Sequence, residues 1–301
     1  YDVDRDYGTA MDYYGEAAEA GSGEAMCKIG DLYYNGQGVE QNFRKAMEWY
    51  QNAEGEKVAD AFYMIGVLYQ NGQGVERNYE EAVKWYTKAA NEGHGMAMNN
   101  LGYMYNRGDG VLQSRDKSIA WFKKSAEVGC SQAMLNLGSI YFDGIDVPQD
   151  YPLALEWFTK AADAGNGTAM WRIGNMYLDG TGVGKNYSVA REWYQQGAEA
   201  GESRAMYKMG DLYYYSYGVT KDLERALNWY TKSAEAGNPY GMFMVAQMYE
   251  YGQGLLNNKP SYFTDTKINW TIHDYKMENT IKQLINLKHS NPALADGSAK
   301  G

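Results

Sequence analysis

The residues that could carry out acid–base, nucleophilic or metal chemistry are few and scattered. The chain has three histidines and two cysteines, and none of His94, His273 and His289 has another His or Cys at metal-ligand spacing. Isolated histidines of this kind are expected to be solvated. The recurring G-x-G, as in Gly36-Gln-Gly38, follows a helical pattern and not a strand, so it is no nucleotide-binding fingerprint. The sequence predicts no catalytic set, no metal site and no cofactor.

Binding through aromatic side chains is the chemistry that the sequence does support, and a repeated unit must position those side chains. One alanine recurs every 36 residues (61 minus 25, and so on), and a tryptophan followed by Tyr or Phe keeps the same step. The alanine stands at Ala25, Ala61, Ala97, Ala133, Ala169 and Ala205, with Gly241 in the seventh copy. The tryptophan stands at Trp49, Trp85, Trp121, Trp157, Trp193 and Trp229. This register predicts a repeat protein.

Each copy has the pattern of two helices. Ala61, Ile65 and Leu68 share one helix face, Gly72 interrupts the pattern, and helical spacing resumes over residues 79–90. One hairpin buries too little apolar surface to offset its lost chain entropy, so the copies are expected to stack, with the tryptophans between them. A glycine beside the apolar face of the first helix should let another helix approach closely. These glycines are Gly66, Gly102, Gly138, Gly174 and Gly210.

The repeated string resembles a known family. A-x-x-x-[LI]-G-x-[LM]-Y-x-x-G-x-G-V followed by A-x-x-W-[YF]-x-x-A-A-x-x-G is similar to the Sel-1-like repeat, a relative of the tetratricopeptide repeat, over about Tyr7 to Leu255. The resemblance implies an all-α fold, a right-handed α/α superhelix of 36-residue helix-turn-helix repeats, with the first helices on the concave face. It also implies an adaptor that holds other proteins together.

The chain divides into three parts by pattern. Residues 1–24 match a partial repeat, 25–256 hold six full repeats and the first helix of a seventh, and 257–301 depart from the pattern. The last part is expected to be a capping helix, or a segment similar to the end of an α-amylase-family glycoside hydrolase barrel, through Phe263–Trp270 and Ile281–Leu294. Within the sixth repeat, Ser216 replaces a loop glycine, and together with Tyr215 and Tyr217 it is expected to reshape that loop.

Composition restricts the partners. A net charge of −10 disfavours nucleic acid, and no apolar stretch is long enough for a membrane span, so a soluble chain is expected. Cys27 and Cys130 lie almost three repeats apart, too far for a disulfide. Missing bridges favour the cytoplasm. An exported compartment stays open because the chain begins inside a repeat.

One face of the first helices varies between copies, and we call it the first-helix stripe. It comprises three positions per repeat at i, i+4 and i+7, opposite the constant apolar face. The candidate partner-binding residues on it are Tyr34, Tyr63, Tyr103, Phe142, Trp171, Tyr207, Tyr214 and Phe243, together with Asp31 and Asp211. An exposed aromatic surface usually marks a binding site. The alternative is that these rings pack on one another across adjacent first helices.

The sequence therefore predicts a non-enzymatic scaffold or adaptor whose aromatic groove binds a protein or peptide segment, with Asp31 and Asp211 meeting basic residues. The alternative is an accessory or inserted module of an α-amylase-family glycosidase, in which the aromatic rings would stack on the sugars of an α-glucan. No catalytic carboxylate can be assigned under either interpretation.

Overall fold

The computed structural model describes residues 6–254, and the chain forms two compact units that divide between Ala164 and Gly165. The first unit contains α1 (Tyr7–Glu19), α2 (Gly23–Asn35), α3 (Phe43–Asn52) with a 3-10 turn at Ala53–Glu56, α4 (Ala59–Asn71), α5 (Tyr79–Asn91), α6 (Gly95–Arg107), α7 (Arg115–Glu127), α8 (Ser131–Asp143) and α9 (Tyr151–Asp163). The second contains α10 (Gly167–Asp179), α11 (Tyr187–Glu199), α12 (Ser203–Tyr215), α13 (Leu223–Glu235) and α14 (Pro239–Glu250). Every regular element in residues 6–254 is helical, which confirms the all-α prediction.

The helices pair as the repeat pattern predicts. Within a repeat the two helices pack together, as α4 does with α5, and the second helix also contacts the first helix of the next repeat, as α5 does with α6. Successive first helices contact each other as well, α6 with α8 in the first unit and α10 with α12 in the second. The predicted C-terminal segment, residues 257–301, lies outside the described residues.

The glycines of the first helices face an aromatic ring of the same repeat. A Cβ added at Gly66 would lie 2.6 Å from ring atoms of Tyr86, and one added at Gly102 would lie 2.6 Å from the ring of Phe122. The equivalent rings are all buried: Tyr50, Tyr86, Phe122, Phe158, Tyr194 and Tyr230. The close approach is therefore confirmed, and the helix that approaches is the second helix of the same repeat.

The tryptophans join consecutive repeats, but they are only half-buried. Trp85 on α5 packs against a buried cluster formed by two repeats, with Met47 and Tyr50 from the preceding one and Ile65 and Leu68 from its own. Its outer face is covered by Lys88, whose Nζ lies 3.8 Å from a ring centroid. The ring that packs against the first-helix glycine of each repeat is thus the aromatic residue after the tryptophan.

The first helices of the six full repeats end on a residue in the left-handed backbone region. Gly72 has φ 69° and its amide donates to the carbonyl of Leu68. Ser216 takes φ 61° and donates to Leu212 in the same way. The backbone at Ser216 is therefore not reshaped, because the residue adopts the glycine conformation at a cost of roughly 1–2 kcal/mol.

Candidate functional site: the first-helix stripe

The first-helix stripe lies between successive first helices, and its side chains link them. In the first unit, Tyr34 Oη donates to Gln73 at 3.2 Å and Tyr103 Oη donates to Asn136 Oδ1 at 2.8 Å. In the second unit, Tyr214 Oη donates to Gln253 at 2.9 Å. The hydroxyls thus fix the orientation of these rings, and each bond reaches from one repeat to the next.

Most of the candidate aromatic residues are half-buried, and Tyr103 is the exception with 40% of its surface exposed. The half-buried members are Tyr34, Tyr63, Phe142, Trp171, Tyr207, Tyr214 and Phe243. Many of their rings pack on a second helix: Tyr207 lies 5.5 Å from Tyr230 and Phe142 lies 5.2 Å from Tyr151. The stripe is therefore partly used for packing, mostly against second helices and less between its own members.

The carboxylates of the stripe already have partners. Asp31 accepts a hydrogen bond of 2.9 Å from Tyr50 Oη and pairs with Lys28 Nζ at 3.0 Å. Asp211, only 6% exposed, accepts a 2.9 Å bond from Tyr230 Oη and lies 2.9 Å from Lys208 Nζ. Burial, and then the neighbouring Asp211, raise the pKa of the Tyr230 hydroxyl far above its ordinary value. A basic group of a partner would therefore meet Asp211 only by displacing Lys208.

Trp171 is covered by its own chain. The guanidinium of Arg204 lies 4.2 Å from the Trp171 ring centroid, and it is held there by Glu202 through two hydrogen bonds of 2.8 Å. Burial raises the pKa of the Glu202 carboxyl, but the hydrogen bonds from Arg204 and Thr168 outweigh it, so that pKa stays below the usual range. The Trp171 indole Nε1 is buried with no acceptor among the described residues.

A pocket of about 230 Å³ lies on the stripe of the first unit, between α6 and α8. Tyr103 lines it beside Phe122, whose ring meets that of Tyr103 edge-on at 5.4 Å. Asn136 and Arg115 supply polar groups, and the Arg115 guanidinium is fixed by a 2.6 Å bond to Asn106. An aromatic wall and fixed polar groups around a space of this size suit a single side chain of a peptide.

His94 is a structural residue that the sequence analysis missed by placing it in solvent. Its Nδ1 accepts a 3.0 Å bond from the Ala97 amide at the N-terminus of α6, and its Nε2 lies 3.3 Å from Asp60 Oδ1. The imidazole stacks on Tyr63 at 4.4 Å. Burial lowers the pKa of His94, although Asp60 acts in the opposite direction. The signal was available, because Asn166 occupies the same capping position in its own repeat.

Within residues 6–254, no group of three or more His, Cys, Asp or Glu side chains could hold a metal ion. None of the helices described there is long and apolar enough to cross a bilayer. Cys27 and Cys130 are both free thiols. Burial, followed by the charge of Asp31, raises the pKa of Cys27 to about 12.

Comparison with known proteins identifies the repeat. The Sel1 repeat family model matches residues 1–22, 23–53, 59–94, 95–130, 131–166, 167–202, 203–238 and 239–260. A protective antigen of uropathogenic Escherichia coli strains that displays an SLR fold is 30% identical, with a TM-score of 0.70, over 97% of this chain and 60% of its own. This chain thus spans less than two thirds of that antigen.

A Sel1 repeat protein from Oxalobacter formigenes is 31% identical, with a TM-score of 0.66, over 86% of this chain and 97% of its own. No curated protein matches the sequence. Nothing supports the resemblance of the C-terminal segment to a glycoside hydrolase. The eight matched segments cover most of the sequence, so the chain belongs to the Sel1 repeat family.

Proposed function

We propose that this Sel1 repeat protein is a non-enzymatic adaptor whose first-helix stripe binds a peptide segment of a partner protein. The family resemblance supports a protein-binding role, and the stripe supplies a surface of suitable chemistry. Aromatic rings with fixed hydroxyls offer contact area at low entropic cost. The acidic chain, with its net charge of −10, favours a basic segment as the occupant.

The main support for the proposal is that the Tyr103 ring is both exposed and fixed in position. Its ring is 40% exposed at the edge of the α6–α8 pocket, and its hydroxyl is held by Asn136. A large ring that is fixed in position but left uncovered is typical of a binding hot spot, because its ordering cost has already been met before the partner arrives.

The other candidate residues extend this surface within each unit. Tyr34, Tyr63 and Phe142 do so in the first unit, and Trp171, Tyr207, Tyr214 and Phe243 do so in the second. Asp31 and Asp211 are proposed to contribute negative potential to the peptide while they hold their tyrosine partners.

To test the proposal, a peptide that binds the wild-type chain is selected from a random phage-displayed library. Its affinity for wild type and variants is then measured by fluorescence polarisation. Tyr103→Ser copies Ser139, the residue at the same place in the next repeat. We expect it to weaken binding about tenfold or more, since loss of a hot-spot aromatic costs roughly 2 kcal/mol. Tyr13→Ser is the matched control, because Tyr13 is 68% exposed on α1 and away from the stripe.

Equal affinity for wild type and Tyr103→Ser would reject the stripe around Tyr103 as the peptide site. A maltooligosaccharide added in excess should not compete with the peptide. Competition would instead favour the α-glucan interpretation.

A further inference from the structure

One position in the second helix breaks the repeat pattern in a single copy. Arg191 on α11 occupies a place that is apolar in the other five full repeats, where it is Met47, Val83, Ile119, Leu155 or Leu227. Met47 and Leu227 are buried in the core, and Val83 is half-buried and packs against the same buried cluster as Val111 of the following loop. Arg191 places a charged group at this position, where the other full repeats have an apolar side chain.

Arg191 instead lines an open pocket of about 770 Å³ in the second unit. The pocket is bounded by Tyr213 at the end of α12, by Val219 and Lys221 in the following loop, and by Arg225 on α13. Val219 is the loop valine equivalent to Val111, so Arg191 and Val219 occupy the places of Val83 and Val111, which pack against one apolar cluster in the earlier copy.

The charged side chains around the pocket are mainly cationic. Arg191, Lys221 and Arg225 face one carboxylate, Asp222. That carboxylate is already used, because it accepts a 2.9 Å bond from the Arg225 amide at the start of α13 and lies 3.1 Å from Arg225 Nε. No described residue forms an ion pair or hydrogen bond with the Arg191 guanidinium. The pocket thus keeps uncompensated positive charge in a chain whose net charge is −10.

We propose that this pocket binds the oxyanions of an acidic peptide segment in a partner protein, with Arg191 as the central contact. A guanidinium presents paired N–H donors that match a carboxylate or phosphoryl group, and a half-buried position strengthens such a bond. The site is separate from the first-helix stripe, since none of the stripe residues lines it. It therefore adds a second binding surface of opposite charge preference.

Fluorescence polarisation of a labelled peptide with consecutive glutamates tests the proposal. The assay is run at about 0.15 M ionic strength, where the Debye length of about 8 Å limits repulsion between the peptide and the acidic surface. Arg191→Leu restores the residue found in two other repeats, so the variant should melt no lower than wild type. We expect it to lose about tenfold or more in affinity. Arg225→Leu, which copies Leu153, should weaken binding less, because Arg225 is partly neutralised by Asp222.

Lys117→Leu is the matched control, because Lys117 holds the place of Arg225 in the third repeat and should leave the affinity unchanged. A phosphoserine peptide of the same length and inorganic phosphate identify the source of the oxyanion. Binding of either peptide that depends on Arg191 supports the site and names its ligand group. Equal affinity of wild type and Arg191→Leu for both peptides, or binding of inorganic phosphate alone, overturns the proposal.

Discussion

Replacing Gly102 with alanine is a direct test of how the two helices of a repeat are held together. The added Cβ would lie 2.6 Å from Cδ1 and Cε1 of Phe122, whereas carbon atoms normally approach to about 3.5–4.0 Å. The ring would have to move by about 1 Å. It is 2% exposed and is packed among Ala126, Leu137 and Tyr103, so a shift would break these contacts even where the ring borders the α6–α8 pocket.

The magnitude follows from two opposing terms. Alanine improves helix propensity over glycine by about 1 kcal/mol. Overpacking of a close-packed core costs roughly 1–3 kcal/mol, and two ring atoms at this distance place Gly102→Ala at the upper end. We therefore expect a net destabilisation of about 2 kcal/mol. Gly15→Ala is the control, since Gly15 also lies inside a helix but no atom would come within 4 Å of its Cβ. This variant should be stabilised by about 0.5–1 kcal/mol.

Urea denaturation followed by circular dichroism gives the unfolding midpoints of the two variants. Because long repeat arrays can depart from two-state unfolding, amide hydrogen exchange over α6 and α7 measures the loss of stability locally. In the Gly102→Ala background, Phe122→Leu should cost less than in wild type, because the smaller side chain relieves the contact. A midpoint for Gly102→Ala that rises as the Gly15→Ala midpoint does would refute the close-packing argument.

Further predictions concern burial and protonation. Phe158→Ala should cost about 3–5 kcal/mol and Trp157→Ala clearly less, because Phe158 is fully buried and Trp157 only half-buried; thermal melts of the two variants rank them. In the native chain, iodoacetamide at pH 8 should modify half-exposed Cys130 and spare Cys27, whose pKa burial raises to about 12; mass spectrometry before and after denaturation checks this. Burial depresses the pKa of His94, so its contribution to stability is complete above the unfolded value of about 6.5 and is lost as pH falls from there through the folded pKa. His94→Asn keeps a capping side chain and should flatten the pH dependence of the melting temperature in that range, whereas an unchanged profile would rule out His94 as its source.

The helix pairs could be predicted from the sequence because their determinants are local. Apolar spacing from Ala61 to Leu68 and the Gly72 stop predicted a helix, and the observed α4, Ala59–Asn71, contains that span and ends just before Gly72. Gly66 also predicted that another helix approaches closely, because a glycine beside the apolar face leaves space where a Cβ would stand. Each of these inferences needs no knowledge of the neighbouring repeat.

Which rings of the first-helix stripe are covered by other side chains could not be predicted in the same way. A helical wheel gives the direction in which Tyr63 or Trp171 points, but the residues that cover these rings, His94 and Arg204, lie at the N-terminus of the following first helix, α6 or α12. Asp211 was expected to meet a partner, and its engagement by Tyr230 depends on the distance between two helices. Contacts of this kind follow from packing geometry, which periodicity alone does not contain.

The repeats themselves help to separate packing from binding, because each copy is a control for the others. A buried tyrosine hydroxyl needs an acceptor, and one stands at the same place of the first helix in three repeats, where Asp31 serves Tyr50, Asn175 serves Tyr194 and Asp211 serves Tyr230. In the second repeat that place is Val67, and Gln70 one turn later accepts from Tyr86. Where the ring is Phe122 or Phe158, the place holds Tyr103 or Ser139 instead. Arg191 departs from the repeat with no such compensating residue in the described chain, and we therefore infer that its partner is another molecule.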